Sequence, residues 1–460
     1  MRRDACAVVL GAFVASGLIA CSGDDNNTPA PDAGTGDTGS TTPVTDGSAA
    51  QPDASSSGSD AGASPMDGAT PDAPSADAAT TPAANAVYTM TNASTGNAVL
   101  GFTRASDGSL TPMAAPFSTG GKGSGAGLGE QGAVAYDYAN NRLYAVNAGD
   151  GSFSFFPVNA DGSLGAAVNV PGGNAALVGP KSVTFRGDVV YVLFEGNATT
   201  ASAIAGWTIA GAAATPIASS VIPLSGSSFS SDPAQISFSP DGGWIIVTEK
   251  QSGNGTSIVA GAGSIDTFAV DANGLATKKG FYPTASAGED AGVQMTPYGF
   301  AFYGSYLVVS EAGSTGVGTY SYANGVIAPV SGATQFLATD PAPCWVAVSL
   351  DWAYVANAKG PDVSGFTVSA ANGGLTDIGA SATGVVAMTG ASVTTDAGVT
   401  LEGPTDEAVT QDGSYLYVLD SAVPAIGAFK VNGDGSLTRV GSADYTSSSL
   451  PAGAVGIVAR

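Results

Sequence analysis

The stretch Asp232 to Lys250, DPAQISFSPDGGWIIVTEK, recurs in outline along the chain at intervals of about fifty residues, and that period constrains the fold more than any other feature. Its first half alternates Ala234, Ile236 and Phe238 with polar positions, the period of a strand with unlike faces. Pro240-Asp241-Gly242-Gly243 then supplies turn chemistry, because proline fixes φ and glycine accepts positive φ. Trp244 to Thr248 is almost wholly apolar, as befits a strand covered on both faces. It ends on charge, at Glu249 and Lys250.

Inner strands of this kind are predicted to start at Gln131, Pro180, Pro233, Pro297, Pro343 and Pro404. Each leads through a polar turn to an apolar second strand: RLYAVN, VVYVLFE, WIIVTE, YLVVSE, AYVANA and YLYVLD. A third strand follows in each unit. Beyond it most carry an Asp-Gly or Asn-Gly turn, such as Asp161-Gly162, Asn273-Gly274, Asn324-Gly325 and Asp434-Gly435, a strong hairpin signal. A seventh unit is split. Residues 87–112 lack an inner strand, and GAVGIVA at Gly453 to Ala459 has its pattern, so the C-terminus is expected to complete the first unit and close a ring without free inner edges. The predicted fold is all-β, a seven-bladed β-propeller of four-stranded antiparallel blades over residues 87–460. A solenoid is the alternative, but it gives no reason for complementary truncated ends.

The N-terminus reads differently. Arg2 and Arg3 precede an apolar run from Ala5 to Ala20, the pattern of an export signal over residues 1–20. It closes Leu18-Ile19-Ala20-Cys21, which resembles the lipobox of bacterial lipoproteins and implies lipidation at Cys21; an ordinary signal with a chance cysteine is the other reading. By analogy with lipoprotein sorting, Ser22 implies the outer membrane. Residues 21–86 are predicted to be a disordered tether. After the cysteine they hold ten Asp, no Lys or Arg and no aromatic residue, so they cannot bury a core and repel themselves into extension. Residues 87–460 carry 27 acidic and 12 basic side chains, which argues against nucleic acid as a partner. The expected partners are the membrane through its anchor and a small polar ligand or envelope protein, with the propeller a monomer.

The chain from Val87 to Arg460 resembles the lactonase family of seven-bladed propellers, which includes propeller-type 6-phosphogluconolactonase and carboxymuconate cyclase. The residues that carry the resemblance are SPDGGWIIVTEK, PYGFAF with VVSEA, and PCWVAVSLDWAYVANA with VSGFTV. It implies hydrolysis of small sugar lactones at a polar channel mouth; a non-catalytic binding propeller is the alternative. Where the family commonly has histidines beside a proline, this chain has Lys181 after Pro180.

There is no histidine anywhere, so histidine bases, triads and metal ligands are excluded. The last residues of the second strands read Asn92, Asn147, Glu195, Glu249, Glu311, Asn357 and Asp420, seven polar positions closing apolar strands. Either they simply leave a buried strand for a turn, or they ring the channel mouth. On the second reading Glu249 and Glu311 are candidate bases, with Lys181 or Lys250 stabilising an oxyanion. Lys250 would equally serve as an ion-pair partner of Glu249 or another neighbour. Asn147, Glu195, Lys250, Asn357, Asp420, Trp345 and Tyr298 are candidate ligand contacts. Glu195, Glu249, Glu311 and Asp420 would suit a divalent cation such as Ca²⁺ or Mg²⁺. Cys344, the one cysteine of residues 87–460, is expected to pack in the core, and Trp345 and Tyr298 either fill core or stack a sugar.

Overall fold

A computed structural model describes residues 84–460 apart from 176, 225–229, 251, 254–257, 260–262, 285–295, 315, 331–332, 338–341, 359–361, 379–392, 395–399, 402, 421–423 and 443. The expected signal and lipidation site, and the tether as far as residue 83, lie outside these residues; the end of the expected tether is ordered, with Ala84 N donating to Ala160 O and Ala86 opening the strand Ala86–Met90, because that strand pairs with the C-terminal one. Among the described residues no helix is long and apolar enough to cross a membrane.

The alternating segments form seven antiparallel blades of four strands in order, each running from an inner strand at the channel to an outer strand at the rim, and in blades 1, 3 and 5 a further two-residue strand pairs with the third strand. The inner strands of blades 2 to 7 are Val134–Asp137, Pro180–Arg186, Pro233–Phe238, Pro297–Tyr303, Pro343–Ser349 and Pro404–Val409. Blade 1 takes its inner strand, Val455–Ala459, from the C-terminus, and that strand pairs with Ala86–Met90 in the register Val87 to Ala459 and Tyr88 to Val458. Neighbouring inner strands touch all the way round, from blade 1 to blade 2 and from blade 7 back to the C-terminal strand. The closure is pinned beyond the ladder. Arg460 N donates to Ala86 O, Arg104 Nε to Arg460 O at 2.8 Å, and Tyr138 OH to Ala459 O at 2.7 Å.

The near-continuous apolar second strands make sense in this setting, because both faces of each blade pack on a neighbouring blade. A recurrent tyrosine in these strands latches one blade to the next. Tyr88, Tyr191, Tyr354 and Tyr417 are fully buried, and each hydroxyl donates to the carbonyl of a turn glycine one blade on: Gly162, Gly274, Gly435 and Gly108. The Asp-Gly and Asn-Gly turns are therefore inter-blade contacts as well as hairpins. At Gly435 φ is 82°, and a Cβ would stand 2.2 Å from the Trp352 ring, so both backbone and packing demand glycine.

One strand assignment differs from expectation. The inner strand of blade 2 starts at Val134 rather than Gln131, because residues 129–131 leave the sheet and lie across the channel. In blade 4 the chain beyond the Asn273-Gly274 turn forms an eight-residue outer strand, Ala276–Pro283. Its pairing to the third strand Ser264–Val270 carries the backbone that a bare loop would leave unsatisfied. The insertion after Lys250 includes a two-residue hairpin pairing Ser252–Gly253 with Ile258–Val259, and Val393–Thr394 pairs with Thr400–Leu401 in the last long connection.

Candidate functional site

Inner strands begin, and second strands end, on the same face of the ring, so the residues at those termini meet around one channel mouth. The structure builds a charged cluster there from blades 2, 3 and 4. Lys181 stands second in the inner strand of blade 3. Asp232 precedes the inner strand of blade 4 in a left-handed conformation, φ 50°, which aspartate tolerates better than most residues. Lys250 follows that blade's second strand. The two lysines share one carboxylate oxygen: Lys181 Nζ lies 2.8 Å and Lys250 Nζ 2.9 Å from Asp232 Oδ1. Glu195, after the second strand of blade 3, lies 3.6 Å from Lys181 Nζ.

Lys250 is fully engaged. Besides Asp232 it donates to Gly129 O at 2.8 Å, and its ammonium sits 5.0 Å from the Tyr298 ring centroid. Gly129 begins the segment that closes the channel. Trp345 Nε1 donates to Glu130 O at 2.7 Å. Gln131 reaches across to blade 6, where Nε2 donates to Val346 O at 2.8 Å and Oε1 accepts from Val346 N at 3.1 Å. Ser182 Oγ and Gln131 N add bonds to blades 3 and 4. Three residues of blade 2 thus tie together the inner strands of blades 3, 4 and 6 and floor the mouth.

Burial tunes these groups in opposite directions. It disfavours the Lys181 ammonium, but Asp232 and Glu195 outweigh it and hold the lysine above its ordinary pKa. For Lys250 burial wins over the attraction of Asp232, with repulsion from Lys181 added, and the pKa falls below the ordinary value. Burial alone would raise Asp232, yet the two ammoniums hold it well below the usual carboxylate range. Glu130 goes the other way. Burial and the nearby Asp406 carboxyl push it far up, opposed in part by Lys181, and its Oε2 accepts from Ala133 N at 3.1 Å. Asp406 and Glu407, which open the inner strand of blade 7, are raised chiefly by burial. The mouth therefore sets an ionised Lys181–Asp232 pair beside carboxyls that keep their protons.

The ring of strand-end residues does not converge. Asn147 Nδ2 donates to Ser152 and Ser154, Asn357 Nδ2 to Asp362 and Ser364, Ser264 Oγ to Glu249 Oε1, and Tyr320 OH to Glu311 Oε1. All those partners are on the third strand of the same blade, so the side chains lean away from the channel. Asn92 instead holds the loop that carries Ser124 and Ala126. Glu249 and Glu311 are both 0% exposed, which takes them out of reach of a substrate, and Asp420 is buried as well. Glu195 alone of the seven keeps a well-exposed side chain, 40%. For the same reason the expected cation ligands Glu195, Glu249, Glu311 and Asp420 are not brought together, and among the described residues no group of three or more acidic or thiol side chains has metal-binding spacing. Lys250 pairs with Asp232 and not with Glu249. Tyr298 and Trp345 meet edge to face at 5.5 Å and are buried, so they support the mouth and present no open ring. Cys344 is fully buried beside them.

Lys181 and Lys250 were legible at the mouth; Glu130, Gln131 and Asp232 were not singled out. Asp232 had a signal. The residues before the other inner-strand prolines are Gly179, Thr296, Ala342 and Gly403, so an acid at that position breaks the repeat.

No family model matches the chain, and no curated protein matches it in sequence. Solved structures do match in fold. A candidate 6-phosphogluconolactonase of Bacteroides fragilis is 18% identical, with a TM-score of 0.57 over 84% of this chain and 100% of its own. The periplasmic gluconolactonase PpgL of Pseudomonas aeruginosa is 14% identical, with a TM-score of 0.58 over 81% of this chain and 98% of its own. A hypothetical selenium-binding protein of Sulfolobus tokodaii, 11% identical, reaches 0.56 over 82% and 94%. The chain is a seven-bladed β-propeller with the fold of lactonase-like propellers.

Proposed function

We propose that this protein is an envelope-anchored lactonase-like propeller that opens a small sugar lactone at the channel mouth. The observation that carries the reading is the Lys181–Glu195 pair, a buried ammonium and a solvent-facing carboxylate 3.6 Å apart, on a fold shared with lactonases. In the proposed reaction Glu195 takes a proton from water as the water oxygen bonds to the lactone carbonyl carbon. Lys181, held charged by Asp232 at 2.8 Å, stabilises the oxyanion that forms; its 3.6 Å contact with Glu195 is too long for a strong hydrogen bond, so the ammonium would meet the oxyanion with a donor other than the one given to Asp232. Collapse of the adduct breaks the bond to the ring oxygen, which leaves with the proton returned by Glu195. Glu130 and Lys250 hold the floor against which the ligand would rest. The lipobox-like run ending at Cys21 and the acidic composition of the expected tether support an extracytoplasmic address on the outer membrane, with a small polar ligand as the partner.

One observation favours a non-catalytic binding module instead: Asp232 pairs with both lysines, so the protein's own carboxylate neutralises the cations of the mouth. Acid release from D-glucono-1,5-lactone, followed at constant pH above the spontaneous rate, separates the two. The lactonase reading requires turnover that falls at least a hundredfold in Lys181→Met and in Glu195→Gln. No turnover by the wild type would leave the binding module.

A further inference from the structure

At the mouth the cations lie beneath the anions. Side-chain exposure is 4% for Lys181 and 8% for Lys250, against 21% for Asp232 and 40% for Glu195. Both ammoniums are directed at Asp232, and Lys250 is further committed to Gly129 O and the Tyr298 ring. A ligand arriving from solvent meets carboxylate first.

Arginine, the side chain best shaped to clamp a phosphate, is missing from this end among the described residues. Arg142 begins a second strand, Arg186 ends an inner strand, Arg104 ends a third strand and Arg460 follows the C-terminal inner strand, all at the opposite mouth. Arg439 lies on the outer strand of blade 7 and pairs with Asp444. Among the described residues Lys122 is an exposed cation on this face, and its own backbone amide is held by the Asp150 carboxylate at 2.9 Å. Below the mouth, Glu130 and Asp406 add acidic groups and no positive charge.

We propose that this mouth selects an uncharged, polyhydroxylated lactone and rejects its phosphorylated counterpart, with Glu195 as the residue that sets the discrimination. The inference rests on the mouth being the ligand site, as read above. Hydroxyl groups would pair with Glu195 and Asp232 as donors to carboxylate, bonds a phosphate ester cannot offer. Set against the Glu195 charge alone, a phosphate dianion about 6 Å away in a water-like dielectric loses roughly tenfold in affinity, and the Lys181 ammonium beneath, turned to Asp232, offsets part of that loss.

The test is calorimetric titration of the full chain with D-glucono-1,5-lactam, a neutral stand-in that does not hydrolyse, and with the same lactam carrying a 6-phosphate. The lactam is expected to bind at least tenfold tighter at low salt. The gap should narrow in 0.5 M NaCl, as screening requires, and in Glu195→Gln at low salt. Equal or tighter binding of the phosphorylated form, or binding of neither, overturns the proposal. Selective binding of the neutral lactam without lactone turnover would retire the hydrolytic reading and leave this one standing.

Discussion

Glu249 offers a clean test of how the buried strand ends behave. Its side chain is completely enclosed, and burial, together with the Asp266 carboxylate nearby, pushes its pKa from 4.5 to about 8. Asp266 is itself paired with Lys278 at 2.9 Å. In the unfolded chain the same carboxyl ionises near pH 4.5. Between pH 4.5 and 8 the native state therefore binds one proton more than the unfolded state, and stability must fall as pH rises. At 1.36 kcal/mol per unit, the loss over the window is about 3–5 kcal/mol. Glu249→Gln keeps the shape and the acceptor for Ser264 Oγ but cannot ionise. Urea unfolding of both proteins at pH 5, 6, 7, 8 and 9 isolates this group, since Glu130, Asp406 and Glu407 titrate in both and cancel in the difference. The variant should gain on the wild type steadily from pH 5 to about pH 8 and then hold its lead. Parallel profiles, or a variant that loses ground as pH rises, would refute the reasoning.

Other expectations follow from the same structure. Removing Pro451 to Arg460 deletes the inner strand of blade 1 and exposes the edge of Ala86–Met90, so the truncated protein should lose cooperative unfolding or aggregate; an unchanged melting temperature would mean that the ring is not closed there. Asp232→Asn leaves two buried ammoniums without their shared carboxylate and should cost about 3–5 kcal/mol at pH 7, with part regained as pH rises and the lysines lose protons; thermal melts at pH 7 and 10 check the sign. Tyr417→Phe removes one inter-blade latch, the bond to Gly108 O at 2.8 Å, and leaves a buried carbonyl unsatisfied, which should cost about 1–3 kcal/mol in denaturant titrations.

Much of the fold was readable because a propeller repeats its local rules. Alternation, a polar turn, an apolar run and an Asn-Gly or Asp-Gly turn recur in order, and the missing strand of residues 87–112 reappears as GAVGIVA at the other end. The site was harder to read for a physical reason. Position in a strand shows which end of the channel a residue reaches, and Lys181, Lys250, Tyr298 and Trp345 all lie at the end where inner strands begin and second strands finish. It does not show whether the side chain turns inward or back along its own blade. Glu249 and Glu311 close second strands as Glu195 does, yet hydroxyls on Ser264 and Tyr320 draw them outward, and only Glu195 meets water. The alternation of its neighbours predicts Gln131 at the start of a strand; its amide instead completes the backbone pairing of Val346 across the channel, a contact 215 residues away in sequence. Asp232 depends on two lysines from different blades and acquires its meaning only when the ring closes.

The most direct test of the account compares one exposed and one buried carboxylate in the same assay. Hydrolysis of D-glucono-1,5-lactone at constant pH would be measured for the wild type, Glu195→Gln and Glu249→Gln. The account predicts a loss of at least a hundredfold in Glu195→Gln and a rate within a factor of about two of wild type in Glu249→Gln. A full rate in Glu195→Gln together with a collapse in Glu249→Gln would place the chemistry at the strand ends and contradict the site described at the channel mouth.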